Sequence, residues 1–593
     1  MTPTVEGWDP SPAASPSPTV PADAPTSLVK TPTFTISLET VIWLAVIAVA
    51  FALRLARLEH LPLTIDESVR ALASWQTADG NVPGNWSGDM TQALTSFLFA
   101  IFGAGDLLAR LLPALLGCLA VALLWPLARY VGGSAIVAAI LVAISPLFVH
   151  VSRSGLPYAA GAALSLAMVI AFFAFLRSRS PVSLLAIAVT VGLALDSDAI
   201  ATSTAVILLV FLVLEATTFR SPEVGEALAD LRRSPALIVS TVLIFLAALE
   251  LGVTRFGTDV DRFSLPGLRL WTDMFDLPRD GLPWLFHPGL LISYEAPALI
   301  LGTVGFLWVL RRWLTAGTEA VPLFQRFLVV WAGGAALIIA LVTRREAGQL
   351  VLLLLPLALL AGCWLEVVLR ELSLASLVRS LPFLAPVLFA VVYLGLVLTA
   401  WASDDSSVGG KGGPADEPAT LVLVAGAAIV LLGLAWSYLG RRAIASYLVL
   451  GSLVSLVFLV HGATSVAYGR GSEFLAGERL DRQAPRLEKE LASMAGEQGA
   501  VAADVTFLPA LGWYLRDVPG LVFTFSPPTE AKAYLAVPGQ PAPVGYRIEK
   551  RWPIAEGWVP DDIDGLDWWQ WLVYRVSYGS LTSTEADLLV KEP

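Results

Sequence analysis

The sequence predicts a mainly α-helical protein that crosses a membrane many times and ends in a small α/β domain. Of its 593 residues, 56% are hydrophobic and only 15% are charged, and the mean hydropathy is +0.71. Apolar runs of roughly 18 or more residues recur along the chain, the length needed to cross a hydrocarbon core of about 30 Å. No feature indicates nucleic-acid binding. Cys118 and Cys363 lie inside apolar runs, where cysteine acts as a small hydrophobic side chain.

The apolar runs predict about thirteen transmembrane spans, and the basic residues of the short loops predict their orientation. With the N-terminus in the cytoplasm, the arginines at Arg177, Arg232 and Arg311 fall on the cytoplasmic side. An odd number of spans then places the C-terminal domain outside a multi-pass plasma-membrane protein. The predicted spans are residues 38–56, 106–129, 132–150, 156–176, 182–196, 199–217, 235–254, 290–310, 325–343, 348–369, 380–402, 418–438 and 443–464.

The chain divides into three predicted parts. Residues 1–36 are rich in Pro, Ala, Ser and Thr and have too few large apolar side chains for a core, which predicts a disordered cytoplasmic tail. Residues 37–464 form the transmembrane domain, and its first outer loop, 57–105, carries the candidate active site. In residues 465–593 short strands alternate with helices, which predicts an extracytoplasmic α/β domain.

Two adjacent acids, Asp66 and Glu67, follow the first span, with Arg57 before them and Asp89 after them. Thr64 to Glu67 also matches a capping box, in which Thr64 caps a helix and Glu67 reaches back to the Thr64 backbone N–H. The structural and the functional interpretations are compatible. Asp66 is the acid that the cap does not require.

The functional hypothesis for this loop is acid–base chemistry. A carboxylate beside a low-dielectric boundary has a raised pKa, which makes it a competent base near neutral pH. In an inverting transfer from a sugar phosphate, Asp66 would take the proton of the acceptor hydroxyl while the phosphate leaves from the opposite side. Glu67 and Asp89 would orient groups or hold a divalent cation such as Mg²⁺ or Mn²⁺.

Four arginines are predicted at the outer ends of spans, namely Arg153, Arg255, Arg344 and Arg345. Arginine at a span end often extends toward lipid headgroups, and that interpretation stays open. The alternative is that these guanidinium groups clamp the phosphate of a lipid carrier, because their fork of donors matches phosphate geometry. With Arg57, Asp89 and Glu346, they form the predicted substrate-binding set. The loop 255–289 is predicted to lie in the membrane interface or to act as a lid over the first loop.

Several stretches resemble the GT-C superfamily of membrane glycosyltransferases, which includes the protein O-mannosyltransferases and the aminoarabinose transferases. They are LTIDES at 63–68, SFLFAIFG at 96–103 and ARLLPALLG at 109–117. The stretches 283–306, 343–362 and 503–517 are similar, more narrowly, to the subgroup of flippase-activity-associated proteins.

The resemblance implies a helix bundle with a catalytic Asp in the first outer loop, a polyprenyl-phosphate-sugar donor and often a divalent metal. Asp66 would then be the base, Glu67 its partner, and Glu346 the acid that opens a later outer motif. The chain departs from the superfamily at Ser87 to Thr91, where relatives usually have a His-Pro element.

The sequence therefore favours a glycosyltransferase that moves a sugar from a polyprenyl phosphate to an extracytoplasmic protein or lipid-linked glycan. Two alternatives stay open. A carrier of lipid-linked sugars would place ionisable residues within spans on facing helices. A non-catalytic scaffold would fit the missing His-Pro element.

Overall fold

A computed structural model describes residues 37–83, 88–250, 265–276, 285–371, 441–469, 473–476, 478–495, 500–558 and 582–592, with single residues between 426 and 437 and between 568 and 575. The chain forms two compact units, Met1–Val41 and Ile42–Pro593. In the first, the described residues lead into the first helix. The predicted tail 1–36 and the predicted span 380–402 lie outside the described residues, as does nearly all of 418–438. The domain boundaries at 37 and 465 stay predictions.

The described part of the chain before residue 470 is almost entirely helical. Its helices are α1 (Leu38–Leu55), α2 (Ile65–Ala78), α3 (Met90–Phe102), α4 (Asp106–Val131), α5 (Ser134–Ile144), α6 (Pro146–Arg153), α7 (Tyr158–Ser178), α8 (Pro181–Ser197), α9 (Ala199–Thr217), α10 (Pro222–Arg232), α11 (Pro235–Leu249), α12 (Pro266–Asp273), α13 (Phe286–Ala316), α14 (Leu323–Leu341), α15 (Val351–Glu371) and α16 (Arg441–Tyr468). Short 3₁₀ helices occur at Thr318–Ala320 and Ala347–Leu350.

Eight of the described helices are long and apolar enough to cross a membrane, and two bent pairs could raise that number to ten. The predicted span 132–150 is one of these pairs, α5 and α6, which meet at 59° because Pro146 begins a new helix capped by Ser145. The predicted span 182–196 is the shorter helix α8. The multi-pass membrane architecture is therefore confirmed, whereas the count of thirteen spans is not. The orientation stays a prediction.

Glycines allow the closest helix packing in the bundle, between α13 and α15. A Cβ added at Gly302 would lie 2.7 Å from the Leu357 carbonyl oxygen, and one at Gly305 would collide with the Leu360 carbonyl. Small residues let two helix backbones approach in this way, which is how helices associate where no water is present to drive burial.

The described residues from 473 to 592, called the C-terminal unit below, form a six-stranded mixed sheet with short helices. Its strands are β1 (Arg479–Leu480), β2 (Ala500–Asp504), β3 (Leu521–Thr524), β4 (Ala531–Ala536), β5 (Tyr546–Gly557) and β6 (Thr582–Lys591), and its α-helices are α17 (Ala484–Ala495) and α18 (Leu508–Leu511). The strand order is β1-β5-β6-β4-β2-β3. The predicted α/β character is confirmed.

Sequence patterning missed two strands, the short β1 and the last strand, β6. Strand β6 lies inside the sheet, antiparallel to both β4 and β5, and its residues Ala586, Leu588 and Leu589 are buried. Its first half, Thr582 to Asp587, is polar, and so the run lacks the apolar alternation that marks a strand.

Candidate functional site

A cavity of about 740 Å³ lies where the loop before α2 meets the helix bundle and the C-terminal unit. Its apolar lining includes Leu61, Val151, Phe286, Val466 and Leu475. Its charged and polar lining comprises Asp66, Glu67, Arg70, Arg110, His150, Arg153, Tyr158, Asp198, Asp273, Arg344, Arg345, Glu346, Glu478 and Arg479. The sequence-predicted residues Asp66, Glu67, Arg153, Arg344, Arg345 and Glu346 are thus brought together around one space.

Asp66 lies in the first turn of α2, and its side chain is exposed and lines the cavity. Its carboxylate accepts no hydrogen bond and forms no ion pair with any residue that the structure describes. The predicted capping box is confirmed, because Thr64 caps α2 and Glu67 completes the box, so the cap leaves Asp66 available. A rigid helix start with one uncommitted acid is a suitable place for a base.

Glu67 is buried, and each of its carboxylate oxygens accepts two hydrogen bonds. Its Oε1 accepts from Arg110 Nε at 2.8 Å and from the Gly155 backbone at 2.6 Å. Its Oε2 accepts from Arg110 Nη2 at 2.6 Å and from the Thr64 backbone at 2.8 Å. Burial alone would raise the pKa of Glu67, but the charge and hydrogen bonds of Arg110, with the two backbone donors, hold it at about 2. Glu67 is therefore a permanently ionised positioning residue.

Arg110 ties the start of α4 to the loop that precedes α2. Besides pairing with Glu67, its guanidinium donates to the carbonyl oxygens of Leu58, Leu61 and Pro62, at 3.3, 2.6 and 2.9 Å. One arginine thus fixes both the backbone that leads to α2 and the acid beside Asp66.

The C-terminal unit holds the same loop from its other side. Tyr514 Oη donates to Asp106 at 2.8 Å and accepts from the Leu63 backbone at 3.0 Å. Trp513 Nε1 donates to the other Asp106 oxygen at 2.7 Å, and the Leu480 backbone donates to Leu63 at 3.2 Å. The position of Asp66 therefore depends on both parts of the molecule.

Asp89 and Arg57 do not line the cavity, and so their predicted substrate-binding roles are not supported. Asp89 is fully buried, caps α3 through the Gln92 backbone N–H, and pairs with Arg70 at 2.9 Å. Arg57 is exposed, and its carbonyl oxygen accepts from Arg153. The sequence placed Asp89 correctly beside a helix start but could not show that the cap and Arg70 occupy it.

Arg153 lines the cavity, but its guanidinium closes the end of α1 rather than facing a ligand. It donates to the carbonyl oxygens of Leu53, Arg54 and Ala56 at 3.0, 3.1 and 2.9 Å, and to that of Arg57 at 3.0 Å. The carbonyls at a helix C-terminus need such donors. Arg153 therefore has a structural role at this helix end, and its part in a phosphate clamp stays a prediction. Arg255 lies outside the described residues.

The segment Arg344 to Glu346 lies on the cavity wall, as predicted. Arg344 is largely exposed and its Nε is 3.3 Å from Glu346 Oε1. Tyr158 Oη donates to the other oxygen of Glu346, and the Glu346 carbonyl is 3.2 Å from His287 Nε2. Leu270 and Asp273 of α12 also line the cavity, and the two predicted roles of the loop 255–289 stay predictions.

Asp198, which caps α9, is a buried acid of the cavity that sequence reasoning left in a loop. Its Oδ2 accepts from the Ile200 backbone at 2.9 Å. Burial, together with the nearby charges of Asp89 and Glu346, raises the pKa of Asp198 to about 7, although hydrogen bonds from the backbone lower it. Gly161 on α7 makes room for the carboxylate, because a Cβ there would collide with it.

The predicted divalent metal does not fit the residues present. The oxygens of Glu67 and Asp89 are taken by arginine and backbone donors, and among the described residues no group of three His, Cys, Asp or Glu side chains could hold an ion. We therefore derive no step through a metal.

The charged cavity residues that sequence reasoning missed include Arg110, Asp198 and Arg479. One signal could have found Arg110, because a charge within an apolar helix is costly and predicts a specific partner. The other two could not have been found this way, since their place in the cavity depends on packing between distant parts of the chain.

Comparisons with known proteins find matches to part of the sequence and to the fold. A family model described as dolichyl-phosphate-mannose-protein mannosyltransferase matches residues 89–229. ArnT from Cupriavidus metallidurans, solved with undecaprenyl phosphate bound, is 15% identical with a TM-score of 0.51 over 81% of this chain and 85% of that one.

Two further solved structures are similar at a lower level. Apo ArnT from the same organism is 15% identical with a TM-score of 0.48, covering 80% of this chain and 84% of that one. An Archaeoglobus fulgidus oligosaccharyltransferase, solved with zinc and sulfate, is 13% identical with a TM-score of 0.47, covering 83% and 63%. No curated protein sequence matches the chain. The predicted fold class is confirmed, and the similarity to one narrower subgroup stays a prediction.

Proposed function

We propose that this chain, which resembles the GT-C superfamily of membrane glycosyltransferases in sequence and in fold, transfers a sugar from a polyprenyl-phosphate-linked donor to an extracytoplasmic acceptor. The observation that supports this most is the placement of Asp66. Its carboxylate is uncommitted, it begins a helix fixed by Arg110 and Tyr514, and it borders a cavity with both apolar and cationic walls.

The proposed reaction is a displacement at the anomeric carbon of the donor sugar. The acceptor hydroxyl oxygen forms the new bond to that carbon while the bond from the carbon to the phosphate oxygen breaks. Asp66 takes the hydroxyl proton, and polyprenyl phosphate leaves with its negative charge. A positioned base of this kind contributes roughly a hundred- to ten-thousandfold to a rate.

The walls of the cavity suit a lipid phosphate. Leu61, Val151 and Val466 can contact an isoprenoid chain, whereas Arg344 and Arg345 lie at the wall that faces a charged head. Cationic groups stabilise the charge that develops on a leaving phosphate. The undecaprenyl phosphate bound by ArnT, which has a similar fold, supports a donor of the same class here.

The acceptor is proposed to be a protein or a lipid-linked glycan that reaches the cavity beside the C-terminal unit. Phe474, Leu475 and Glu478, just before β1, line the cavity together with Asp66. The C-terminal unit can therefore contact an acceptor that approaches Asp66.

The test uses Asp66→Asn, with Asp79→Asn as the matched control. Asp79 is an exposed acid at the other end of α2 and does not line the cavity. Purified protein in nanodiscs is given a panel of polyprenyl-phosphate sugars, and release of polyprenyl phosphate is measured, because that product is common to every sugar and acceptor. Asp66→Asn should lower the rate at least about a hundredfold, and Asp79→Asn should leave it unchanged.

Wild-type turnover in a folded Asp66→Asn variant would refute the role of Asp66. Purified wild-type protein that releases no polyprenyl phosphate from any donor of the panel would instead favour the scaffold. The carrier alternative predicts movement of the lipid-linked sugar across a bilayer without cleavage of the sugar phosphate, which the same purified proteins report after reconstitution into sealed vesicles.

A further inference from the structure

One arginine of the cavity comes from the C-terminal unit. Arg479 lies in β1, where it is paired opposite Glu556 of β5. On its other side it forms a β-bridge with Thr64, the residue that caps the helix of Asp66. The backbone at Arg479 is therefore held between the sheet and the loop that carries the candidate base, and its side chain lines the cavity.

The guanidinium of Arg479 has no hydrogen bond and no ion pair with the residues that the structure describes, and its Nε is buried. Two acids, Glu67 and Glu473, have an electrostatic influence on Arg479, and both already accept from other donors. Three other arginines of the cavity are committed elsewhere: Arg110 to Glu67, Arg70 to Asp89, and Arg153 to the end of α1.

Arg479 is half-buried, and its buried Nε has lost water without gaining an acceptor, which costs free energy. Burial, with repulsion from Arg110, lowers the pKa of Arg479 to about 10, so it remains charged at neutral pH. Buried polar groups are nearly always satisfied, and a ligand that supplies the missing partner is one explanation of an exception in a cavity wall.

We propose that Arg479 binds the phosphate group of the polyprenyl phosphate in the cavity, so that the C-terminal unit completes the donor site. This rests on the proposed function. A guanidinium fork holds two phosphate oxygens at once, and the same contact stabilises the phosphate as it leaves the sugar. Leu475, four residues before Arg479, and Val466 of α16 line the same cavity, which suits an anionic head on an apolar chain.

The experiment measures binding to full-length protein in nanodiscs. The probes are undecaprenyl phosphate, uncharged undecaprenol and inorganic phosphate, and the variants are Arg479→Gln, Arg479→Lys and the control Arg482→Gln. Arg482 is exposed and does not line the cavity.

Arg479→Gln should weaken undecaprenyl phosphate binding by roughly ten- to a hundredfold, the usual effect of losing hydrogen bonds to a charged group. Arg479→Lys should fall between that variant and the wild type, because it keeps the charge without the fork. Arg482→Gln should bind as the wild type does, and binding of undecaprenol should be equal in all four proteins.

Thermal stability separates a ligand-binding arginine from a structural one. Removal of an unpaired buried charge should leave the melting temperature of Arg479→Gln unchanged or higher in the absence of lipid. A clear fall in melting temperature would mean that Arg479 supports the fold, and would overturn the proposal.

Two outcomes distinguish this inference from the proposed function. If wild type and Arg479→Gln bind undecaprenyl phosphate equally, the role of Arg479 is refuted and the lipid-phosphate donor stands. If the wild type binds neither phosphate probe, both are refuted. Binding of inorganic phosphate alone that depends on Arg479 would keep the phosphate site and refute its assignment to a lipid.

Discussion

Replacing Arg110 by Gln should destabilise the protein strongly, because it leaves the buried carboxylate of Glu67 without its main partner. The side chains of both residues are almost fully buried and meet at 2.6 Å. The same change removes the donors to the carbonyls of Leu58, Leu61 and Pro62. Breaking one half of such a pair typically costs about 3–5 kcal/mol.

The lowered pKa of Glu67 gives a second value for the free energy that ionised Glu67 contributes to folding. It is held at about 2 rather than 4.5, and since one pKa unit corresponds to about 1.4 kcal/mol, ionised Glu67 stabilises the fold at neutral pH by roughly 3 kcal/mol. Because the pKa is lowered in the folded state, this stability is present above about pH 4.5 and is lost as the pH falls toward 2. Arg110→Gln should remove most of it.

The assay is unfolding in mixed micelles of detergent and SDS, followed by tryptophan fluorescence. The matched control is Arg129→Gln, an exposed arginine near the other end of α4, which should change the free energy of unfolding by less than about 0.5 kcal/mol. The double variant Glu67→Gln/Arg110→Gln should recover part of the loss, because no ion then remains buried. Equal free energies of unfolding for Arg110→Gln and Arg129→Gln would show that the pair of Arg110 with Glu67 contributes nothing to stability.

Two further predictions concern the cavity and the bundle. Asp198→Asn should weaken the pH dependence of the free energy of unfolding. The Asp198 carboxyl has a pKa of about 7 in the folded protein and of 3.8 as a free group. Its contribution therefore makes folding less favourable as the pH rises from about 4 to 7, by up to about 4 kcal/mol. The free energy of unfolding, measured at about pH 4 and about pH 7, should show that decline in wild type and a smaller one in the variant, whose Asn side chain can still cap α9. Equal declines would contradict the raised pKa of Asp198. Gly305→Val should lower the melting temperature by several degrees, because its side chain collides with the Leu360 carbonyl. Gly333→Val, at a glycine of α14 with open space around it, is the control, and an equal effect of both would exclude packing as the cause.

Local patterns determined the membrane architecture, the helix start at Thr64, and the identity of the uncommitted acid. Apolar length and a four-residue cap are properties of neighbouring residues, and so they can be recognised in one sequence. The strand β6 could not be recognised from the sequence, because it is polar in its first half and its place depends on pairing with β4 and β5.

The tertiary structure alone decided which charges are available to a substrate. Arg153 and Asp89 matched the expected chemistry by residue type, yet helix-end carbonyls occupy the first and a helix cap with Arg70 occupies the second. Arg110 and Glu67 satisfy each other, whereas Arg479 is brought to the cavity by a bridge to Thr64. A charge is free or bound according to its neighbours in space, and those neighbours come from distant parts of the chain.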